Sequence, residues 1–259
     1  MISTGSMVCM VVAGLIAFGL PIGLFIYFLK AKKAEVLPFF VGCLVMLLFA
    51  FTLEQLAHAV ILGSAAGAVI QNNIWLYGLY GGLMAGLFEE TGRLVAFRTL
   101  LKKKQSNNAN ALMYGAGHGG FEAMVLLGIT SINNLVYSAL INSGAMDKLM
   151  ASMEGDTLAA TQSAVQTLIS TLWWQFLMGG VERILAVILQ IALSVLVWFA
   201  VKEKKYALYL QAILIHLLVD AGTVVLSKFG LPLPVLELIV AAGAMIAAWY
   251  AGRVWKSGM

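Results

Sequence analysis

Seven long apolar segments are the feature that most limits how this chain can fold. Each contains about 20 or more mostly apolar residues, the length that a helix needs to cross the hydrocarbon core of a bilayer. The segments cover residues 7–29, 36–62, 73–98, 110–132, 173–200, 206–227 and 233–252. The sequence therefore predicts an all-α polytopic membrane protein, a bundle of about seven transmembrane helices in a single domain over residues 1–259.

Composition and charge exclude several other classes of protein. Hydrophobic residues make up 61% of the chain and charged residues only 11%, whereas soluble domains carry roughly 25% charged residues. The pI near 9.0 does not indicate a nucleic-acid partner, because the basic residues cluster at the ends of the apolar segments. The two cysteines, Cys9 and Cys43, lie in apolar runs and predict no disulfide framework. The lipid bilayer is the expected environment.

The basic residues also predict the orientation of the helices. Most of the 16 basic residues follow the first, third, fifth and seventh segments, and so share one side of a seven-span model. These clusters are Lys30, Lys32 and Lys33, then Arg98 with Lys102, Lys103 and Lys104, then Lys202, Lys204 and Lys205, then Arg253 and Lys256. By the positive-inside rule that side is cytoplasmic. We expect a multi-pass protein of the cell membrane with its N-terminus outside and its C-terminus in the cytoplasm.

One long connection, residues 133–172, should then lie outside the membrane. It begins with polar residues, and Asp156 is the expected N-cap of an amphipathic helix that starts at about residue 157. We interpret that helix as an outer interfacial helix resting on the bundle. A lid or a substrate-guiding element is the alternative.

Three pairs of ionisable residues occur inside apolar segments, each with helical i,i+4 spacing. They are Glu89 with Arg93, His118 with Glu122, and His216 with Asp220. A charge at the centre of a membrane helix costs about 2.5–3.5 kcal/mol, and i,i+4 spacing places both members of a pair on one helix face. At 1.5 Å per residue, Glu89, His118 and His216 all fall about 12–15 Å from the cytoplasmic edge. The pattern predicts one buried polar site, with a water-filled pocket that opens toward the cytoplasm.

The residue types at this site indicate hydrolysis. A buried carboxylate beside a histidine can deprotonate a water molecule, and a second histidine can stabilise an oxyanion. The same donors would also hold zinc, which activates water. In that case His118, His216, Glu89 and Glu122 would be the ligands, although the HExxH signature is absent. The residues alone assign no metal and leave both mechanisms open.

A resemblance to a known family rests on three motifs. The motifs are Glu89-Glu90 followed by Arg93, Tyr114 four residues before His118, and His216 four residues before Asp220. On these, the whole chain resembles the YhfC family of intramembrane proteases, in the larger group that includes the CPBP (CAAX protease and bacteriocin-processing) and PrsW families. The resemblance implies a CPBP-protease-like core and favours glutamate-based over metal-dependent catalysis.

The resemblance also implies roles for these residues. Glu89 and His118 would activate water, and His216 and Asp220 would bind the oxyanion. Glu90, Arg93 and Tyr114 would support them. Glu122 has no place in the CPBP pattern, and we interpret it as a partner of one of the two histidines.

A second polar set lies on the second and fifth segments. It consists of Glu54, His58, Glu182 and Arg183, and helix rise places it about 27 Å from the cytoplasmic edge. We interpret the set as structural, for example as an interhelical pair of Glu54 with Arg183. A proton relay or a polar entrance to the site is the alternative.

Taken together, the sequence predicts an intramembrane endopeptidase that hydrolyses a membrane-embedded protein or peptide. Two alternatives stay open. Intramembrane carboxylates and histidines also mark proton- or ion-coupled transporters, and a chain of this kind can serve as a non-catalytic membrane scaffold.

Overall fold

The computed structural model describes residues 1–258, and over them the chain is almost entirely helical, with no β-strand. Counting continuous helical segments as one, the described chain forms ten helices. They are α1 (Thr4–Lys30), α2 (Leu37–Leu62), α3 (Ala65–Gln71), α4 (Ile74–Arg98), α5 (Ala109–Asn142), α6 (Ala145–Met150), α7 (Gly155–Ser170), α8 (Trp173–Lys202), α9 (Ala207–Lys228) and α10 (Leu233–Ser257). A 3₁₀ turn, Lys102–Lys104, lies between α4 and α5. Helices α2 and α5 each contain a π-helical segment, Met46–Glu54 and Met124–Ile129.

Six of the described helices are long and apolar enough to cross a membrane, namely α1, α2, α5, α8, α9 and α10. The all-α polytopic class predicted from the sequence is thereby confirmed. Helix α4 has 25 residues, which is also long enough, but its charged residues and glycines lower its hydropathy. It runs the length of α9, because the Trp75 ring lies 5.6 Å from Phe229 at one end and the Arg98 guanidinium lies 4.7 Å from the Tyr206 ring at the other. This contact supports α4 as a seventh span, and the seven-span topology stays a prediction.

The chain divides into two compact units. The first comprises Met1–Leu20 and Ala123–Arg183, and the second comprises Pro21–Glu122 and residues 184–258. Helices α1, α5 and α8 are continuous through the boundaries. All residues of the predicted inner site belong to the second unit.

In the first unit, α5 extends further than the sequence predicted. It ends at Asn142 instead of near residue 132, because the polar residues in this stretch bond within the helix, as Ser138 does to the Asn134 carbonyl at 2.6 Å. The Asn142 side chain accepts a hydrogen bond from the Ile2 amide at 2.7 Å. Helix α7 starts at Gly155, with Glu154 at the N-cap, so Asp156 lies in the first turn and is not the cap.

Two predicted polar residues, Glu182 and Arg183, also belong to the first unit. Arg183 forms an ion pair with the neighbouring Glu182. The predicted contact of Arg183 with Glu54 stays a prediction.

In the second unit the basic clusters gather at one end. Glu35, after α1, forms an ion pair with Lys104, after α4, and its amide donates to Asn110 at 2.9 Å. Lys202, at the end of α8, donates to Asn108 at 2.7 Å. The ring of Trp255, near the end of α10, lies 5.9 Å from that of Phe199 on α8. We call this the lysine-rich end, formed by residues 30–37, 98–109, 202–207 and 253–258.

Glycines let the helices around the site approach closely. A Cβ added to Gly117 of α5 would lie 2.8 Å from Phe39 Cα on α2, and one added to Gly119 would lie 2.7 Å from Gln190 Cβ on α8. A Cβ on Gly82 of α4 would lie 2.8 Å from the Ala221 amide nitrogen on α9. Small residues at such crossings allow close packing of membrane helices, and here they bring α2, α4, α5, α8 and α9 together.

Candidate active site

Glu89 lies at the centre of the site and is held by side chains from α5, from α8 and from its own helix, α4. The Nε2 atom of His118, on α5, lies 2.9 Å from Glu89 Oε2. Gln190, on α8, donates to the same oxygen at 2.9 Å, and Arg93 donates to it at 3.5 Å. The residue is only 6% exposed. The carboxylate is therefore buried, oriented and compensated by hydrogen-bond donors, as a buried charge requires.

Arg93 supplies the buried positive charge of the site. It is fully buried, forms an ion pair with Glu90, and donates to Gln190 and to Ser194, the latter at 3.3 Å. Glu90 Oε1 also lies 2.8 Å from Nδ1 of His216. Arg93 thus compensates both adjacent carboxylates, and Glu90 in turn orients the imidazole of His216.

The second histidine faces the other side of the central carboxylate. Nε2 of His216 lies 3.8 Å from Glu89 Oε1 and 3.4 Å from Asp220 Oδ2. His216 is buried, whereas the Asp220 side chain is 37% exposed. The separation of His216 Nε2 and Glu89 Oε1 is too long for a direct hydrogen bond, so the two groups face each other without being bonded.

Gln190 is the residue that the sequence reasoning missed. Its amide group donates to both Glu89 and Glu122, the latter at 3.0 Å, and its oxygen accepts from Arg93. Ser194, one turn further along α8, donates to the Gln190 carbonyl at 2.7 Å. The available signal was an amide and a hydroxyl spaced i,i+4 inside an otherwise apolar span. The structure therefore attaches Glu122 to the site through Gln190.

Aromatic side chains fill the side of the site that faces the lysine-rich end. The Tyr114 ring stacks on His118 with centroids 5.7 Å apart, and the Phe97 ring lies 4.6 Å from Tyr114 and 5.0 Å from Trp198. Phe97, Tyr114 and Trp198 are fully buried, and we call these three residues the aromatic plug. The sequence predicted a pocket opening in this direction. The structure differs, because closely packed side chains occupy that space.

The outer polar set is not as remote as helix rise suggested. His58 lies 3.2 Å from Glu54 and 2.8 Å from the Tyr80 hydroxyl. Glu54 is buried, and earlier on the same helix Phe49 packs against Gly92, beside Arg93 on α4. The estimate of 27 Å counted the rise along α2 alone, whereas the bond from His58 to Tyr80 joins this set to α4, the helix that carries Glu89. Glu54 and His58 therefore adjoin the site.

The sequence of this chain is similar to those of known membrane proteins. The model of a family described as the YhfC intramembrane metalloprotease matches residues 16–241. The chain belongs to the YhfC family. It is 36% identical over 253 residues to the uncharacterized membrane protein YhfC of Bacillus subtilis (strain 168), and the match covers 96% of each chain. No solved structure gives a significant match. Membership supports intramembrane proteolysis as the general activity.

The YhfC family description implies a metal, so we tested whether the side chains fit one. Two imidazoles and a carboxylate are donor types that zinc prefers. Here, however, His118 and Gln190 bond to the Glu89 oxygen between them, and the Arg93 guanidinium lies against the same carboxylate. Among residues 1–258 no group of three or more His, Cys, Asp or Glu side chains is arranged to hold a metal ion. As arranged, the side chains do not fit a metal.

Proposed function

We propose that this YhfC-family chain is a glutamate-dependent intramembrane endopeptidase. The observation that carries the proposal is the position of Glu89 between two histidines, with His118 on one carboxylate oxygen at 2.9 Å and His216 facing the other at 3.8 Å. A carboxylate and an imidazole in contact can take a proton from water. The second imidazole lies where it can stabilise the charge that develops on the substrate carbonyl.

The proposed reaction uses only side chains of this chain. Glu89, paired with His118, accepts a proton from water as the water oxygen bonds to the scissile carbonyl carbon. His216 acts as an imidazolium, since Nδ1 donates to Glu90 and Nε2 must carry a proton as well, and Nε2 donates a hydrogen bond to the resulting oxyanion. Asp220 lies beside the same nitrogen and stabilises the imidazolium. The carbon–nitrogen bond then breaks, and the proton held by Glu89 and His118 passes to the leaving amine.

Glu90 and Arg93 position the oxyanion-binding side. The bond between Glu90 and Nδ1 of His216 at 2.8 Å directs the other ring nitrogen, Nε2, toward Glu89 and Asp220. Arg93 compensates Glu90 and so keeps this arrangement electrically balanced. With Nδ1 donating to Glu90, Nε2 is a donor in the imidazolium form of His216.

The aromatic plug supports hydrolysis over conduction of ions through an open channel. A channel needs a continuous polar route between the two faces of the membrane. Phe97, Tyr114 and Trp198 are fully buried between the site and the lysine-rich end. A site that buried aromatic side chains close on one side suits an enzyme that admits water and substrate from the other side.

The test is cleavage of a library of transmembrane peptides by purified wild type, Glu89→Gln and Glu203→Gln, each with and without a strong chelator. Glu203 pairs with Lys205 at the lysine-rich end, so its variant is a matched control. We expect Glu89→Gln alone to lose cleavage, and the chelator to have no effect.

Two other outcomes would change the proposal. Loss of wild-type cleavage with chelator, restored by zinc, would assign a metal-dependent mechanism. A folded wild type that cleaves nothing in a broad library would favour the transporter or scaffold alternatives.

A further inference from the structure

Helix α9 carries a polar stripe that runs from the site toward the end of the second unit opposite the lysine-rich end. His216, Asp220, Thr223 and Ser227 are spaced by four, three and four residues, which places them on one helix face. Exposure rises along this stripe, from buried His216 through partly exposed Asp220 and Thr223 to exposed Ser227. In the other direction, one turn from His216, Ala212 is fully buried.

Helices α2 and α4 carry polar groups on the same side of the site. Glu54, His58 and Tyr80 form a hydrogen-bonded chain between α2 and α4. Tyr80 precedes Glu89 by nine residues on α4, which is about 13 Å along the helix away from the lysine-rich end. His58 and Tyr80 are partly exposed, whereas Glu54 is buried. Exposure therefore rises in the same direction as on α9.

The path from the site toward the lysine-rich end is closed. The aromatic plug continues into other fully buried side chains near the lysine-rich end, including Leu101 and Leu196. Buried water needs two to four polar partners, and this packed apolar cluster supplies few. The plug therefore separates the site from the lysine-rich end.

We propose that water and substrate reach Glu89 from the end opposite the lysine-rich end. By the positive-inside rule this is the extracytoplasmic side. The substrate is then a membrane-anchored polypeptide whose scissile bond enters from the outer half of the bilayer. This inference rests on the proposed function for the identity of the substrate, but the route itself is a property of the fold.

Cysteine accessibility tests the route without requiring turnover. The background is Cys9→Ala with Cys43→Ser, since a serine hydroxyl keeps the donor that Cys43 offers to the Gly117 carbonyl. Single cysteines on α9 then replace Thr223 in the stripe, Ala212 on the plug side, or Leu218. Leu218 is 60% exposed but off the stripe, so it is the control for exposure to lipid.

A charged, membrane-impermeant methanethiosulfonate is added to intact cells, which present the outer face, or to inverted vesicles, which present the cytoplasmic face. We expect Thr223→Cys to react in intact cells at least about tenfold faster than Leu218→Cys, because the reactive thiolate forms in water. Ala212→Cys should stay unlabelled from both faces. Labelling of Thr223→Cys should also block cleavage.

Several results would overturn the route. These are labelling of Ala212→Cys from inverted vesicles, labelling of Thr223→Cys from that face only, or equal rates for Thr223→Cys and Leu218→Cys. If Thr223→Cys does not fold, Ser227→Cys tests the same stripe. Correct labelling with no cleavage by the wild type would refute the proposed function and leave the route standing, whereas cleavage with labelling from the cytoplasmic face would do the reverse.

Discussion

Replacing Gln190 by methionine should reduce catalysis while leaving substrate binding unchanged. The substitution preserves the length of the side chain and removes donors to Glu89 and Glu122 and an acceptor for Arg93. A hydrogen bond to a charged group contributes about 1.5–3 kcal/mol, and each 1.36 kcal/mol of barrier is a factor of ten in rate. If loss of the hydrogen bond to Glu89 alone raises the activation barrier by this amount, kcat should fall about 10- to 150-fold.

The assay is steady-state cleavage of a peptide identified from the library, with each variant first shown to be folded by its thermal unfolding curve in detergent. Because Gln190 positions Glu89 and does not touch the substrate, kcat and kcat/KM should fall together. Gln211→Met is the matched control, since Gln211 accepts only from Tyr250 at an exposed site. Gln190→Glu, which preserves the shape of the side chain, should lower kcat further than Gln190→Met does, because it places a third carboxylate between Glu89 and Glu122.

The reasoning would be refuted if folded Gln190→Met kept a kcat within about twofold of the wild type, a change of under 0.5 kcal/mol. A rise in KM with kcat unchanged would also contradict it, since that result would place Gln190 in substrate binding.

Three further predictions concern the support of the site. Arg93→Met should lower the free energy of unfolding by about 3–5 kcal/mol, because it leaves Glu90 buried without its counter-charge, and chemical denaturation in detergent measures this. Gly117→Ala should lower Tm, since its Cβ would meet the α2 backbone, whereas Gly23→Ala, with no atom within 4 Å of the added Cβ, should not. The Lys104 ammonium and Asn110 amide donate to Glu35 and hold its pKa below the usual value. The ionised Glu35 side chain therefore stabilises the fold at pH values above its unfolded-state pKa, and this stabilisation is lost as the pH falls through its folded-state pKa. Glu35→Gln should then flatten the acid side of a curve of unfolding free energy against pH. The change should be under about 1 kcal/mol, because the pair is exposed.

The sequence predicted the convergence of Glu89, His118 and His216 because polar residues in lipid are costly and helix rise is regular. Gln190 was missed, because an uncharged amide in a span costs less than a charge and its i,i+4 partner is the hydroxyl of Ser194 instead of an opposite charge. The closure by Phe97 and Trp198 was also hidden, because apolar residues look the same in the sequence whether they face lipid or a neighbouring helix.

The end of α5 shows a related limit of prediction from sequence. The sequence predicts that the fourth segment ends at residue 132, ten residues before the end of α5, because Asn133 and Asn134 interrupt the apolar run. In the structure the helix continues through them. The end of an apolar run in a sequence is therefore not the end of a helix.

The π-helical segment of α2 has a consequence for the register of that helix. Met46–Glu54 lies between Gly42, which packs on α5, and His58. Because the wide turn holds about one residue more than an α-helical turn, deleting one residue from it would restore α-helical geometry and leave the flanking parts of α2 close to their present faces. Deleting one residue from the regular part of α2 between Gly42 and this segment would instead turn every residue beyond the deletion by about 100°, and His58 would point away from Tyr80. The wide turn therefore absorbs one residue without changing which face of the outer half of α2 is presented to its neighbours.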